Sequence, residues 1–278
     1  MSATRGAGAE GAAAPSSRDD LEEMAAAVAF WFHSIDLGHG VVTNGWKSPD
    51  VLATELERLR VPDLTGKTVL DINTWDGFYA FEAERRGASR VVALDEYMWA
   101  MDLDEHRKYW EACKARGVAP QPYHTMPYYK PGELPGKKGF DTAHRALGSA
   151  VEPIVGDFMT IDLKALGEFD VVLFLGSLYH MESPLTALRR VATVTREVAI
   201  VETEAVAFAG LEARAVCEFF ESDELNGDVS NWWAPNDRAV AGMCRAAGFA
   251  RVEPVAEAPA RPVGPEPLRY RAVVHAYK

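Results

Sequence analysis

Residues 67–95, KTVLDINTWDGFYAFEAERRGASRVVALD, decide the fold. The run KTVLDI reads as a strand, FYAFEAERRG as a helix that stops where Gly87 can take a left-handed conformation, and RVVALD as a second strand. Strand, helix and strand in this order make a βαβ unit, whose two strands are parallel. The same rhythm returns later in the chain. VEPIVGD, FDVVLFLG, EVAIVETE and YRAVVHAYK read as strands, and PLTALRRVATV and PNDRAVAGMCRAAG as helices among them. Such alternation predicts an α/β fold built on a doubly wound, mostly parallel, Rossmann-like sheet.

Outward from this unit, residues 1–17 are rich in Ala, Gly and Ser, bury little, and are expected to form a disordered tail. Residues 18–66 read as an N-terminal helical lid segment. In it a helix through LEEMAAAVAFWF is capped by Asp19 and Asp20, with Leu21, Met24, Ala25, Val28 and Phe32 at helical spacing. SIDLGHGVVTNGWKSPD is a loop, and a second helix, VLATELERLR, starts after Ser48-Pro49-Asp50. The Rossmann-like domain occupies 67–278, with insertions at about 101–137 and 205–237.

The chain has 278 residues, 48% of them hydrophobic, enough for one large α/β domain with additions. Its 41 acidic residues outnumber 29 basic ones, for a net charge of −12, which argues against a nucleic-acid partner and for a small molecule. The three cysteines, Cys113, Cys217 and Cys244, show no zinc or redox spacing, so a cytoplasmic location is expected and no metal is assigned. No run of about 18 apolar residues occurs, so no membrane partner is expected. These patterns leave the oligomeric state open.

In a parallel sheet a ligand lies beyond the carboxyl ends of the strands, where DINTWDG falls. Asp71 ends the strand, Asn73 tolerates a left-handed conformation, and Gly77 lets the helix pack closely. Trp75 stands where a dinucleotide turn needs a glycine for the pyrophosphate to approach. A nucleoside without phosphate, such as S-adenosylmethionine, suits this turn better than NAD. Asp95 ends RVVALD about 20 to 25 residues further on, where a carboxylate can accept ribose hydroxyls. Asp157 is placed at the adenine amino group, with Tyr97 or Phe158 on a ring face. Glu96 joins this cofactor set.

The strand FDVVLFLG leads into SLYHMESP, which puts Tyr179 and His180 beside the transferred group, with His180 as a candidate base. Glu202 and Glu204, at the end of the following strand, are further base or orienting candidates. Trp232 and Trp233 are adjacent, so in a strand they face opposite ways and one of them can line an acceptor pocket. The acceptor set is Trp31, His33, Tyr79, Glu202, Asn226, Trp232 and Trp233.

WDGFYAFEAERRGA, GSLYHMESPLTAL and DELNGDVSNWWAPN resemble motifs of the class I S-adenosylmethionine-dependent methyltransferases, in the branch similar to the tRNA wobble-uridine carboxymethyltransferase. The resemblance covers about residues 30 to 250. It implies S-adenosylmethionine as cofactor, S-adenosylhomocysteine as product, and cofactor contacts at Lys47, Asn73, Asp95, Asp157, Leu175 and Tyr179; Lys47 and Leu175 enter on resemblance alone. Two departures stand out. The tRNA enzyme follows its Tyr-His pair with two arginines, where this chain has Met181 and Glu182, and its C-terminal basic segment has no clear match beyond Arg261, Arg269 and Arg271. The expected activity is therefore transfer of a plain methyl group to an oxygen or nitrogen of a small metabolite, in secondary metabolism. The alternatives are an RNA methyl or carboxymethyltransferase and a non-catalytic cofactor-binding regulatory protein.

Overall fold

Ser17 opens the first helix of the computed structural model, which describes residues 4–5, 17–255 and 266–278; most of the expected tail lies outside them. The described chain forms two compact units, one of residues up to Glu55 with Asp63–Asp162, the other of Leu56–Pro62 with Leu163–Lys278.

In the first unit the two-residue strand β1 (Thr4–Arg5) precedes helix α1 (Arg18–Ala26). The Ser17 hydroxyl caps α1 by accepting from the Asp20 N–H; Asp19 and Asp20 sit in the first turn and are not the cap. The helix stops six residues before Phe32, although the apolar spacing continues. Its extension is forestalled by tertiary bonds: the Phe32 and His33 N–H groups donate to the Asp76 carboxylate, at 2.9 and 2.8 Å. The loop that follows holds a short hairpin, β2 (Asp36–Gly38) and β3 (Val41–Val42), and then helix α2 (Pro49–Leu59) starts on its proline, whose missing N–H costs nothing there.

The quoted βαβ unit forms β4 (Thr68–Ile72), α3 (Phe78–Arg85) and β5 (Arg90–Asp95), with β4 and β5 parallel. Val69, Leu70, Val92, Ala93 and Leu94 are fully or almost fully buried, the continuous apolar run of strands covered on both faces. Helix α4 (Leu103–Arg116) fills the first expected insertion and is capped by Asp102. A further helix, α5 (Lys138–Leu147), lies just beyond that insertion and was not anticipated; it buries Phe140 and Ala143 and ends at left-handed Gly148. Strand β6 (Glu152–Val155) pairs parallel with β5 and antiparallel with β1.

The second unit carries β7 (Phe169–Leu175), α6 (Pro184–Val194) and β8 (Thr195–Ala207), with β7 and β8 parallel. β8 runs three residues past the expected Glu204. A two-stranded ribbon, β9 (Cys217–Phe219) and β10 (Trp233–Pro235), occupies the second insertion. Phe220, Leu225 and Ala234 pack with Val206 into a small core of their own. Helix α7 (Asp237–Ala247), capped by Asn236, leads to β11 (Arg251–Pro254), a short strand with no apolar alternation to announce it. β12 (Leu268–Tyr277) pairs antiparallel with both β8 and β11. Among the described residues no helix is long and apolar enough to cross a membrane.

Candidate active site

The turn after β4 holds two left-handed residues other than glycine, Asn73 with φ 60° and Trp75 with φ 52°. Asparagine tolerates this; for tryptophan it costs about 1–2 kcal/mol. Three contacts hold Trp75 in place. Its N–H donates to Asp95 at 2.8 Å, its carbonyl accepts from the Trp99 indole at 2.6 Å, and its ring stacks on Phe32 with centroids 4.0 Å apart. Gly77, at φ 90°, caps α3, and a Cβ there would lie 2.6 Å from Phe81 and 2.7 Å from Phe140. Close packing is the reason for this glycine.

Asp95 faces the protein. It is fully buried, one oxygen accepting from Trp75 and the other from the Met98 N–H at 3.0 Å, so it braces the turn. Glu96 beside it is only half-buried and accepts from the Tyr129 hydroxyl at 3.0 Å, while Tyr97 packs edge-on against Tyr123. Asp157 is exposed and caps its own turn through the Met159 N–H and the Thr160 hydroxyl. Phe158 is core, 3% exposed.

Asp71 is buried and accepts from the Thr74 hydroxyl at 2.6 Å. Burial pushes it up to about 7, against the Thr74 bond, and pushes Asp95 up to about 6, against the N–H groups it accepts. An acid whose folded value is raised favours folding while protonated. That stabilisation is complete below the ordinary value of 3.8 and is lost as pH rises through about 7. Asp71→Asn cannot ionise, so its stability relative to the parent is expected to improve by about 3 kcal/mol between pH 4 and pH 8. Urea unfolding at both pH values checks this; an unchanged difference rules it out.

The N-terminal segment of this unit is drawn in by Asp76, which pairs with His33 Nδ1 besides accepting two main-chain N–H groups. Trp31 is buried too, its indole donating to the Ala25 carbonyl at 3.0 Å. Both Trp31 and His33 are thus buried side chains with polar partners inside this unit. Glu55 on α2 accepts from the Lys47 ammonium at 2.9 Å and the Tyr79 hydroxyl at 2.7 Å. Lys47 also lies 5.2 Å over the Phe32 ring. Lys47 and Tyr79 are brought together, with their polar ends directed at a carboxylate.

In the second unit Leu175 ends β7, half-buried, and Tyr179 and His180 form a single turn just beyond it. Arg271 of β12 sits opposite Glu204 of β8 in the strand register. Its guanidinium bonds both oxygens of Glu202, one at 2.5 Å, bonds Glu204 at 2.8 Å, and lies 5.1 Å from the Tyr179 ring centre. Burial opposes the charge on Arg271, and the Glu202 carboxylate beside it more than reverses this, holding it well above the ordinary value. Glu202 is buried and also accepts from the Gly176 N–H at 2.9 Å, besides pairing with Arg271. Burial raises the Tyr179 phenol.

His180 directs Nδ1 at Ser230, 3.1 Å from the carbonyl and 3.0 Å from the hydroxyl, and burial holds it below the usual imidazole range. The Asn226 amide donates to Glu204 at 3.1 Å. The Trp232 N–H donates to the Tyr179 carbonyl at 2.8 Å. Trp232 and Trp233 are both half-buried and both pack on Phe219, so neither is set apart as the one core tryptophan.

With this geometry in hand, solved structures give the fold a precedent. The N-terminal domain of EvdMO1 with S-adenosylhomocysteine bound is 15% identical, over 94% of this chain and 97% of that one, at a TM-score of 0.58. The same domain in the presence of S-adenosylhomocysteine and D-fucose gives 16%, 94%, 96% and 0.53. The fold is Rossmann-like α/β. Against intact EvdMO1 the TM-score is 0.51 at 17% identity, and this chain, 94% of it aligned, spans 48% of that one. No family model and no curated protein matches the sequence.

Sequence reasoning passed over Asp76, Glu55, Asp228 and Ser230. Asp76 carried a signal, as a second acid inside the turn that has no helix of its own to cap. Glu55 carried none, since an acid on a helix face is ordinarily solvated.

Proposed function

We propose that this chain is an S-adenosylmethionine-dependent methyltransferase acting on an oxygen or nitrogen of a small molecule. The observation that carries the reading is the turn from Asn73 to Gly77, whose main chain is tied to Asp95 of the neighbouring parallel strand at the strands' carboxyl ends. The residues present fit a nucleoside: Glu96 is a half-buried carboxylate for ribose hydroxyls, Tyr97 a half-buried ring for adenine, and Trp75 stands where a dinucleotide turn needs glycine. When bound, S-adenosylmethionine supplies a methyl group activated by its sulfonium. Positioning then supplies much of the catalysis. Tyr179 and His180 are the residues proposed to meet the acceptor.

A plain methyl donor is favoured over a carboxylated one, because Arg271 is already held by Glu202 and Glu204. Arg269 lies 4.8 Å over the Phe220 ring, and Arg261 falls outside the described residues. The structure of the EvdMO1 domain obtained in the presence of D-fucose supports a small hydroxyl-bearing acceptor, which together with the net charge of −12 disfavours tRNA. A place in secondary metabolism and a cytoplasmic location complete the proposal.

Titration calorimetry tests the cofactor. S-adenosylmethionine and S-adenosylhomocysteine are expected to bind and NAD not to; binding of NAD alone would overturn the reading. Glu96→Ala is expected to weaken S-adenosylhomocysteine at least tenfold, as loss of a charged hydrogen bond worth roughly 1.5–3 kcal/mol implies. Release of S-adenosylhomocysteine in the presence of an acceptor separates an enzyme from a binding protein.

A further inference from the structure

Ser230 and Asp228 form a chain with His180 that the methyl-transfer reading does not use. Asp228 Oδ1 accepts from the Ser230 N–H at 2.8 Å and from the Ser230 hydroxyl at 2.7 Å. The hydroxyl hydrogen is therefore committed to the carboxylate, and what Ser230 Oγ presents to His180 Nδ1 is a lone pair. The other neighbour of Nδ1, the Ser230 carbonyl, is an acceptor by nature. Two acceptors face one ring nitrogen, so that nitrogen carries the hydrogen. Nε2 is left as the basic lone pair, in the half-buried turn beyond β7.

We infer that Asp228 and Ser230 are positioning residues that fix the Nδ1–H tautomer of His180, so that Nε2 removes the proton of a hydroxyl or amine acceptor during methyl transfer. The inference rests on the proposed function. As the acceptor atom forms its bond to the methyl carbon, the sulfur–carbon bond breaks, and its electron pair stays on sulfur. The acceptor proton passes to Nε2, and the imidazolium so formed is shared through Nδ1–H and Ser230 with the Asp228 carboxylate. The proton then leaves to solvent. The same loop is pinned a second time by the Trp232 N–H on the Tyr179 carbonyl, which keeps Ser230 in reach of the ring.

The charged groups around His180 come from three elements. Asp228 on its loop and Glu204 on β8 favour its protonated form, and Arg271 on β12 opposes it, along with burial. Asp228→Asn removes one favourable charge while keeping an oxygen for the Ser230 N–H. The His180 midpoint is expected to fall, the rising limb of kcat against pH to move to lower pH with it, and the plateau to drop roughly tenfold, as general-base efficiency follows basicity. Ser230→Ala is expected to behave likewise and Ser230→Thr to recover most of the rate.

Nitrogen-15 NMR of the imidazole reads the tautomer without turnover. Nδ1 of the full-length parent protein is expected to be protonated and Nε2 not, with the midpoint lowered in Asp228→Asn. A parent with hydrogen on Nε2, or a midpoint unmoved by Asp228→Asn in a folded variant, overturns the inference. Absence of methyl transfer with the expected tautomer present would instead count against the proposed function alone.

Discussion

Replacing Asp76 by alanine is expected to destabilise the first unit by about 5 kcal/mol, since three donors, two buried and one half-buried, each lose a partner at roughly 1–3 kcal/mol apiece. They are the Phe32 and His33 N–H groups and the His33 ring, which is 4% exposed. Water cannot replace the carboxylate without opening the segment. Phe32 also stacks on Trp75, so the loss is expected to spread into the turn after β4 and to expose the left-handed tryptophan. Urea unfolding gives the total, and hydrogen exchange shows whether the amides of residues 32, 33 and 75 lose protection together. Asp76→Asn retains one acceptor and is expected to cost less than half as much. An alanine variant within 1 kcal/mol of the parent would show that the segment is held by its apolar contacts instead.

Arg271→Met is expected to cost about 4 kcal/mol, because breaking a buried ion pair from one side leaves the other charge without compensation. Glu202 has a side-chain exposure of 8%, and its remaining cationic neighbour, Arg58, is 3.9 Å away. Glu204, less deeply buried, loses the same guanidinium. Adding Glu202→Gln to Arg271→Met is expected to recover most of the loss, since the orphaned charge is then gone. Stabilities of both single variants and of the double variant, from urea unfolding at pH 7, give the coupling. Additive losses in that cycle would remove the ion pair from the explanation and leave only lost packing.

The turn residues Asn73 and Gly77 were legible because their constraint is local. A left-handed position and a close helix start show as residue types in a short string, and the structure gives φ values of 60° and 90° there. The termination of α3 near Gly87 was legible for the same reason, through capping chemistry that spans a few residues. Asp95 was placed correctly at a strand end, but which way its carboxylate turned depended on the main chain of Trp75, 20 residues away. His180 was visible as a histidine after a strand, whereas its Ser230 partner stands 50 residues on, in a loop with no periodicity.

The sequence by itself determined the βαβ unit from β4 to β5, its parallel pairing and the backbone demands of the turn, because each is a property of neighbouring residues. Only the tertiary structure decided where α1 ends and which carboxylates are tied to partners of the protein itself. Those depend on partners 43 residues apart for Asp76 and His33 and 69 apart for Glu202 and Arg271. A charge in a sequence has no partner until strand register brings one within hydrogen-bonding distance, and in a buried site that partner sets whether the charge binds, catalyses or holds the fold together.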